Sequence, residues 1–409
     1  MKNWVRAQLC FMMFLEFFIW GAWFVTLGTY LANNLQATDG EIALAFSTQS
    51  WGAIIAPFLI GVIADRYFNA ERILGFLHLL GAALMYVMYT TTAFDDFFTY
   101  VLGYMILYMP TLALVNAVAF HQMKNPAKEF SMVRVFGTLG WIIAGLSISF
   151  WFHWDQGGNI EAGMLKNTFL MTAIASFIFG IFSFSLPKTP PRVADGHKLS
   201  VVEMLGLDAL SLFKDKNFTV FFISSVLICI PLAFYYQNTN PFLVEIGMQN
   251  PTGKMTLGQG SEILFMLLLP YFFTRFGFKK TILVAMGAWV VRYLFFAFGD
   301  TEGIGVMLLL GIALHGICYD FFFVSGQIYT DNKAGAKYKS SAQGLITLAT
   351  YGVGMLIGFW VAGEISNSYV IGEKSHDWST IWLYPAGFAL IVLLLFGLFF
   401  KSEEIEYKH

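Results

Sequence analysis

The sequence predicts an all-α polytopic membrane protein, with twelve transmembrane helices in two six-helix lobes. Three observations carry this prediction. Of 409 residues, 57% are hydrophobic and only 12% are charged, whereas a soluble domain carries about 25% charged residues. Apolar runs of the length needed to cross a bilayer, about 20 residues, recur along the whole chain. The lysines and arginines of the loops fall almost entirely on one side of the resulting topology, which is the asymmetry that orients membrane proteins. This composition excludes an ordinary soluble enzyme and a disordered chain. A net charge of -2 leaves no basic field to attract nucleic acid, so no nucleic-acid partner is expected.

The runs lie at about 7–32, 41–64, 73–92, 97–121, 132–152, 167–186, 217–238, 256–275, 280–298, 303–329, 339–363 and 378–400, each long enough to span. The first carries Lys2 and Arg6 ahead of it and contains Glu16. It exceeds a signal-peptide core and lacks a small-residue cleavage pattern, so it reads as a retained span. The eleventh is rich in Gly and Thr, which lets helices pack closely in lipid. The charge bias puts both termini in the cytoplasm, and an even number of spans requires the termini to share a side.

The longest connection opens Pro187-Lys188-Thr189-Pro190-Pro191. Within it, Leu199–Phe213 is apolar but interrupted by Glu203 and Asp208, and predicts an amphipathic helix on the cytoplasmic face. The expected organisation is a lobe over 1–186, a linker over 187–216, a second lobe over 217–400 and a cytoplasmic tail over 401–409. Six spans, a link and six spans is the layout of a two-lobed carrier.

A charge at the bilayer centre costs about 2.5–3.5 kcal/mol even on the mildest scale, so the few intramembrane charges need partners or a purpose. Glu262 follows Gln259 by three residues, which puts an amide and a carboxylate on one helical face. That pair can bind a hydroxyl-rich or heterocyclic solute, and the carboxylate can carry a proton. His315, Tyr319 and Phe322 are spaced four and three apart and predict a second face with aromatic planes, with Asp320 reaching the same cavity from its edge. Arg134, Thr138 and Trp141 form a third face, and Arg134 is a possible counter-charge for Glu262. Arg292 has no polar neighbours in sequence and reads as structural. In the seventh run, Tyr236, Gln237 and Asn240 follow Pro231, and a polar run at a proline-interrupted helix points to a translocation path. Glu16 reads either as a second proton site or as a partner of His78.

Neither a metalloprotease nor a nucleophile-elbow motif occurs, and no glycine-rich nucleotide loop does. No metal site, cofactor or enzymatic activity is expected. Cys10, Cys229 and Cys318 lie in apolar runs and read as packing residues. Gly61, Asp65 and Arg66, in the loop between the second and third spans, resemble the G-x-x-x-D-R gating signature of the major facilitator superfamily. Arg275–Lys280 occupies the matching place in the second half.

Several segments together resemble the nucleoside:proton symporter family of that superfamily. They are Trp20-Gly-Ala-Trp23, Tyr108-Met-Pro-Thr111, Arg134-Val-Phe-Gly-Thr138-Leu-Gly-Trp141, Leu205-Gly-Leu-Asp-Ala209, Gln259-Gly-Ser-Glu262, Asp320-Phe-Phe and Ser341-Ala-Gln-Gly344. The resemblance implies uptake of nucleosides driven by protons, with the proton gradient as the energy source and no cofactor. It also implies a bacterial cytoplasmic (inner) membrane location, and the chain is expected to act as a monomer in the lipid bilayer. Carried over by position, Arg134, Thr138, Gln259, Glu262 and Asp320 match the family's binding and coupling residues. Trp141 stands where better-characterised members have Phe, His315 where they have Tyr, and Tyr319 where they have Phe. From the residues alone, a proton-coupled sugar or drug carrier remains an alternative, as does a solute-sensing membrane receptor.

Overall fold

The computed structural model describes residues 2–59, 68–124, 126–190, 207–301, 305–372 and 375–405. Among them, ten helices are long and apolar enough to cross a membrane. Their outward faces are apolar as well as their buried ones: Leu267, Trp360 and Leu398 are 75%, 65% and 78% exposed. A helix that is hydrophobic all round is the pattern of a lipid-facing span.

The first half contains α1 (Asn3–Gly21), α2 (Leu27–Asn34), α3 (Asp39–Leu59), α4 (Ala70–Thr90), α5 (Phe94–Gln122), α6 (Pro126–Leu146), the short α7 (Gly157–Glu161) and α8 (Asn167–Ser183). The second contains α9 (Lys216–Glu245), α10 (Pro251–Phe298), α11 (Val306–Ala313), α12 (His315–Tyr319), α13 (Ser325–Thr347), α14 (Met355–Ser368) and α15 (Trp378–Phe399). A small antiparallel hairpin, β1 (Val370–Gly372) with β2 (Ser375–His376), precedes α15. The chain divides into two compact units, residues 1–37 with 44–201, and residues 38–43 with 202–408.

Several boundaries differ from the sequence reading. The first run divides at a turn into α1 and α2. The eighth and ninth runs keep their separation: Gly277, with a φ of 76° in the left-handed region that glycine tolerates, is non-helical and divides Pro251–Phe298 into two helices at a kink, together labelled α10. Pro231 and Pro241 do not interrupt α9, which stays helical from Lys216 to Glu245. The Tyr293 hydroxyl donates to the Pro231 carbonyl at 2.5 Å, which ties this stretch of α9 to the second half of α10. Gly61, Asp65 and Arg66 of the gating signature lie outside the described residues, as does most of the expected interfacial helix. The described end of that segment, Leu207–Lys214, is a 3-10 helix. Its Ala209 is buried with Ala334, Ala342 and Leu345, so one face of this part packs on protein, while Leu210 is exposed.

Helix ends are fixed by their own side chains. Asp215 caps α9, its Oδ1 accepting from the backbone N–H groups of Asn217 at 2.8 Å and Phe218 at 3.2 Å. Thr38 and Glu41 form a reciprocal capping box at the start of α3. In the second unit Lys333 binds Asp215 at 2.6 Å and Glu403 at 2.5 Å, tying the segment after α15 to the start of α9.

Outside the spans, His376 sits between two carboxylates. Its Nδ1 lies 2.9 Å from Glu245 and its Nε2 3.2 Å from Asp39, both within the second unit. Burial disfavours its charge, but the hydrogen bonds and charges of Asp39 and Glu245 outweigh that and raise its pKa to about 9. A histidine raised in the folded state stabilises fully below its unfolded value of about 6.5 and loses that contribution as pH climbs through about 9. Thermal stability is therefore expected to fall between these limits in the native protein. His376→Gln should flatten that fall, as measured by unfolding in detergent across the range.

Candidate functional site

In the first unit, α1, α5 and α6 carry the predicted polar groups. Arg134 lies on α6 with its guanidinium 4.0 Å from the centre of the Phe17 ring, an attraction worth about 0.5–2 kcal/mol depending on desolvation. Thr138 follows one turn later and is half-buried. Trp141 meets Trp20 of α1 edge-on at 5.6 Å, and Trp20 in turn meets Tyr108 of α5 at 5.6 Å.

Beneath this panel Glu16 is fully buried. Its Oε2 lies 3.0 Å from His78 Nε2, and its Oε1 accepts from the Thr111 hydroxyl at 2.6 Å. The Tyr108 hydroxyl donates to the Glu16 carbonyl at 2.8 Å. Of the two roles read from sequence, partnership with His78 is the one the geometry supplies.

In the second unit the site is built where α12 crosses the first half of α10. Gly316 makes that crossing possible: a Cβ there would fall 2.5 Å from the Ser261 carbonyl carbon. The Gly316 N–H donates to Ser261 Oγ at 2.9 Å, which fixes the register. The next residue on α10 is Glu262 and the preceding one on α12 is His315, and their side chains meet with His315 Nε2 3.0 Å from Glu262 Oε1. The histidine side chain is only 2% exposed, whereas the glutamate keeps 18%. Gly316→Ala is expected to push the two helices apart, at about 1–3 kcal/mol of overpacking. It should lower the thermal midpoint and weaken transport together, read by unfolding and by uptake into vesicles.

Aromatic rings surround His315. His315 stacks on Tyr235 at 5.0 Å and on Tyr319 at 5.6 Å, and Tyr236 meets it edge-on at 6.5 Å. The Tyr319 hydroxyl is hydrogen-bonded to that of Tyr351. Arg292, fully buried, places its guanidinium 3.4 Å from the centre of the Tyr235 ring. Its Nη1 lies 3.1 Å from His315 Nδ1.

Two faces read from helical spacing are rearranged. Phe322 does not continue the His315–Tyr319 face. It packs on Trp289 at 5.6 Å and Phe221 at 6.3 Å, while Phe323 lies 4.8 Å from Tyr319. The cause is a π-helical turn over Asp320–Val324, which adds a residue per turn and so shifts every position after Tyr319. Asp320, 1% exposed, opens that turn, and such turns are frequent at functional sites.

The amides of α9 also divide. Asn240 Nδ2 donates to Thr252 Oγ1 at 3.1 Å and Asn238 Nδ2 to Ser366 Oγ at 3.0 Å, so both brace neighbouring helices. Gln237 is buried, and its Oε1 has no hydrogen bond among the described residues. Gln259, one turn before Glu262, is half-buried.

Sequence reasoning missed Tyr235, Tyr351 and Phe323, and it assigned Arg292 a structural role. The signal for Arg292 was its depth in an apolar run; its partner lies on another helix and is invisible to spacing on its own. Among the described residues no cluster of His, Cys, Asp or Glu could hold a metal ion.

A polytopic helical membrane protein with buried carboxylates beside aromatic rings has the character of a solute transporter, and similarity to known proteins agrees. The nucleoside transporter NupG, in its crystal structure, superposes with a TM-score of 0.85 at 29% identity, over 98% of this chain and 100% of that one. YegT of Escherichia coli (strain K12) is 42% identical over 98% of this chain and 95% of its own length. The xanthosine permease of the same organism is 32% identical over 99% and 98%. The nucleoside H+ symporter family model matches residues 3–405. The chain belongs to the nucleoside H+ symporter family.

Proposed function

We propose that the protein takes up nucleosides together with protons across the bacterial cytoplasmic membrane, by alternating access. The observation that carries this reading is Glu262: a partly exposed carboxylate bonded to His315, whose ring is walled by Tyr235, Tyr236 and Tyr319, in a chain of the symporter family. Aromatic planes suit a nucleobase, because offset stacking is worth about 0.5–1.5 kcal/mol beyond area burial. Gln259, Glu262, Asp320 and Gln237 supply hydrogen-bonding groups for the ribose hydroxyls and the base edge. Arg134, Thr138 and Trp141 of the first unit contact the solute as well.

Protonation of Glu262, or of Asp320, removes a buried charge and permits the loaded carrier to reorient; release follows in the less acidic cytoplasm. The proton gradient is the energy source, and no cofactor takes part. The chain has twelve spans in two lobes, 1–186 and 217–400, joined by the linker 187–216, with both termini cytoplasmic, and it works as a monomer. Gly61, Asp65 and Arg66 form a gating hinge.

The test is uptake of a panel of labelled nucleosides, with sugars as controls, into proteoliposomes with and without an imposed pH gradient. Saturable nucleoside uptake that the gradient stimulates is the expected result. Uptake of sugars alone, or nucleoside uptake indifferent to the gradient, would overturn the reading.

A further inference from the structure

Arg292 is bonded to His315 at its Nδ1, on the side of the ring away from Glu262, and so determines what His315 can do. A guanidinium is a donor only and stays charged. With Arg292 Nη1 at 3.1 Å from His315 Nδ1, that nitrogen must accept, so it bears no proton. The ring's single proton then sits on Nε2, which faces Glu262 Oε1 at 3.0 Å and donates to it. An imidazolium would set an N–H of His315 against an N–H of Arg292, donor to donor.

We infer that Arg292 is a positioning residue that fixes His315 as the neutral Nε2–H tautomer, so that His315 is a fixed donor to Glu262 and not a carrier of the transported proton. This rests on the proton-coupled reading above and sharpens it. Glu262 Oε1 is held by His315 in both charge states, so an incoming proton binds at Oε2, and the carboxyl side chain retains the exposure needed to receive it. Among the described residues no carboxylate pairs directly with the Arg292 guanidinium, which lies over the Tyr235 ring at 3.4 Å, where the negative face of the ring attracts the cation. The groups facing His315 are Tyr235 and Tyr236 from α9, Glu262 and Arg292 from the two halves of α10, and Tyr319 from its own helix.

The direct experiment is nitrogen NMR of histidine-labelled protein in lipid, with the His315 signal assigned by its loss in His315→Gln. The expected result is a neutral ring protonated at Nε2 throughout the range from about pH 5 to 8, where an ordinary histidine titrates. A ring that gains a second proton in that range, or one protonated at Nδ1, would overturn the inference. This reading needs no transport, so it stands apart from the gradient test of the symport reading: symport can fail while the tautomer holds, and the reverse. A second arm uses Arg292→Gln. Freed of its fixed donor, His315 should begin to titrate, and the pH of half-maximal nucleoside uptake should move by about one unit, the size of a typical environmental shift. Adding His315→Gln should abolish that new titration. An unchanged uptake profile in a folded Arg292→Gln protein would count against the positioning role. Should that variant fail to fold, the spectrum of the unaltered protein still decides.

Discussion

Glu262→Gln is expected to abolish proton-driven accumulation of nucleoside while leaving exchange of nucleoside across the membrane intact. Glutamine keeps the shape and an oxygen to accept from His315 Nε2, which lies 3.0 Å from Glu262 Oε1, but it cannot take up a proton. A pH difference of one unit is worth about 1.4 kcal/mol per proton, so one proton per nucleoside permits about tenfold accumulation per unit of gradient. The variant should fall to a ratio of about one under the same gradient, with counterflow still present. Accumulation equal to that of the native protein would remove Glu262 from the coupling role and move it to Asp320, which is buried at the π-helical turn.

The second large effect is on stability. Glu16→Ala removes the acceptor shared by His78 and Thr111 from a site with no exposure. Leaving buried hydrogen-bonding groups without their partner costs about 1–3 kcal/mol each, and the Tyr108 bond to the Glu16 carbonyl does not restore it. A marked drop in the thermal midpoint in detergent is expected, whereas Glu16→Gln, which still accepts from Thr111, should lose much less. Equal midpoints for Glu16→Ala and the native protein would show that the cluster contributes nothing. Because Glu16 is read here as structural, the pH profile of uptake in Glu16→Gln should match the native one.

The sequence made the spans legible because bilayer thickness dictates a long apolar run, and no other constraint mimics it. Polar residues inside those runs were legible for the same reason. What it hid were the effects of contact between helices. Pro231 reads as a break, but α9 runs through it as one helix. Phe322 reads as a partner of Tyr319 under a period of 3.6, yet the π-helical turn at Asp320 puts Phe323 beside Tyr319 instead. Arg292 shows no polar face on its own helix, and its meaning comes from His315, which α12 brings within 3.1 Å. That approach depends on Gly316, whose close contact with Ser261 only the folded chain reveals. Glu262 and His315 were each singled out by their chemistry, while their pairing was not.

Symport requires that nucleoside and proton move together. Proteoliposomes carrying a trapped pH-sensitive dye, with no initial pH gradient and with membrane potential clamped, put this to the most direct test. Addition of external nucleoside should acidify the lumen at a rate that follows nucleoside entry, and Glu262→Gln vesicles should show no such acidification. Nucleoside entry without proton movement in the native protein would contradict the account.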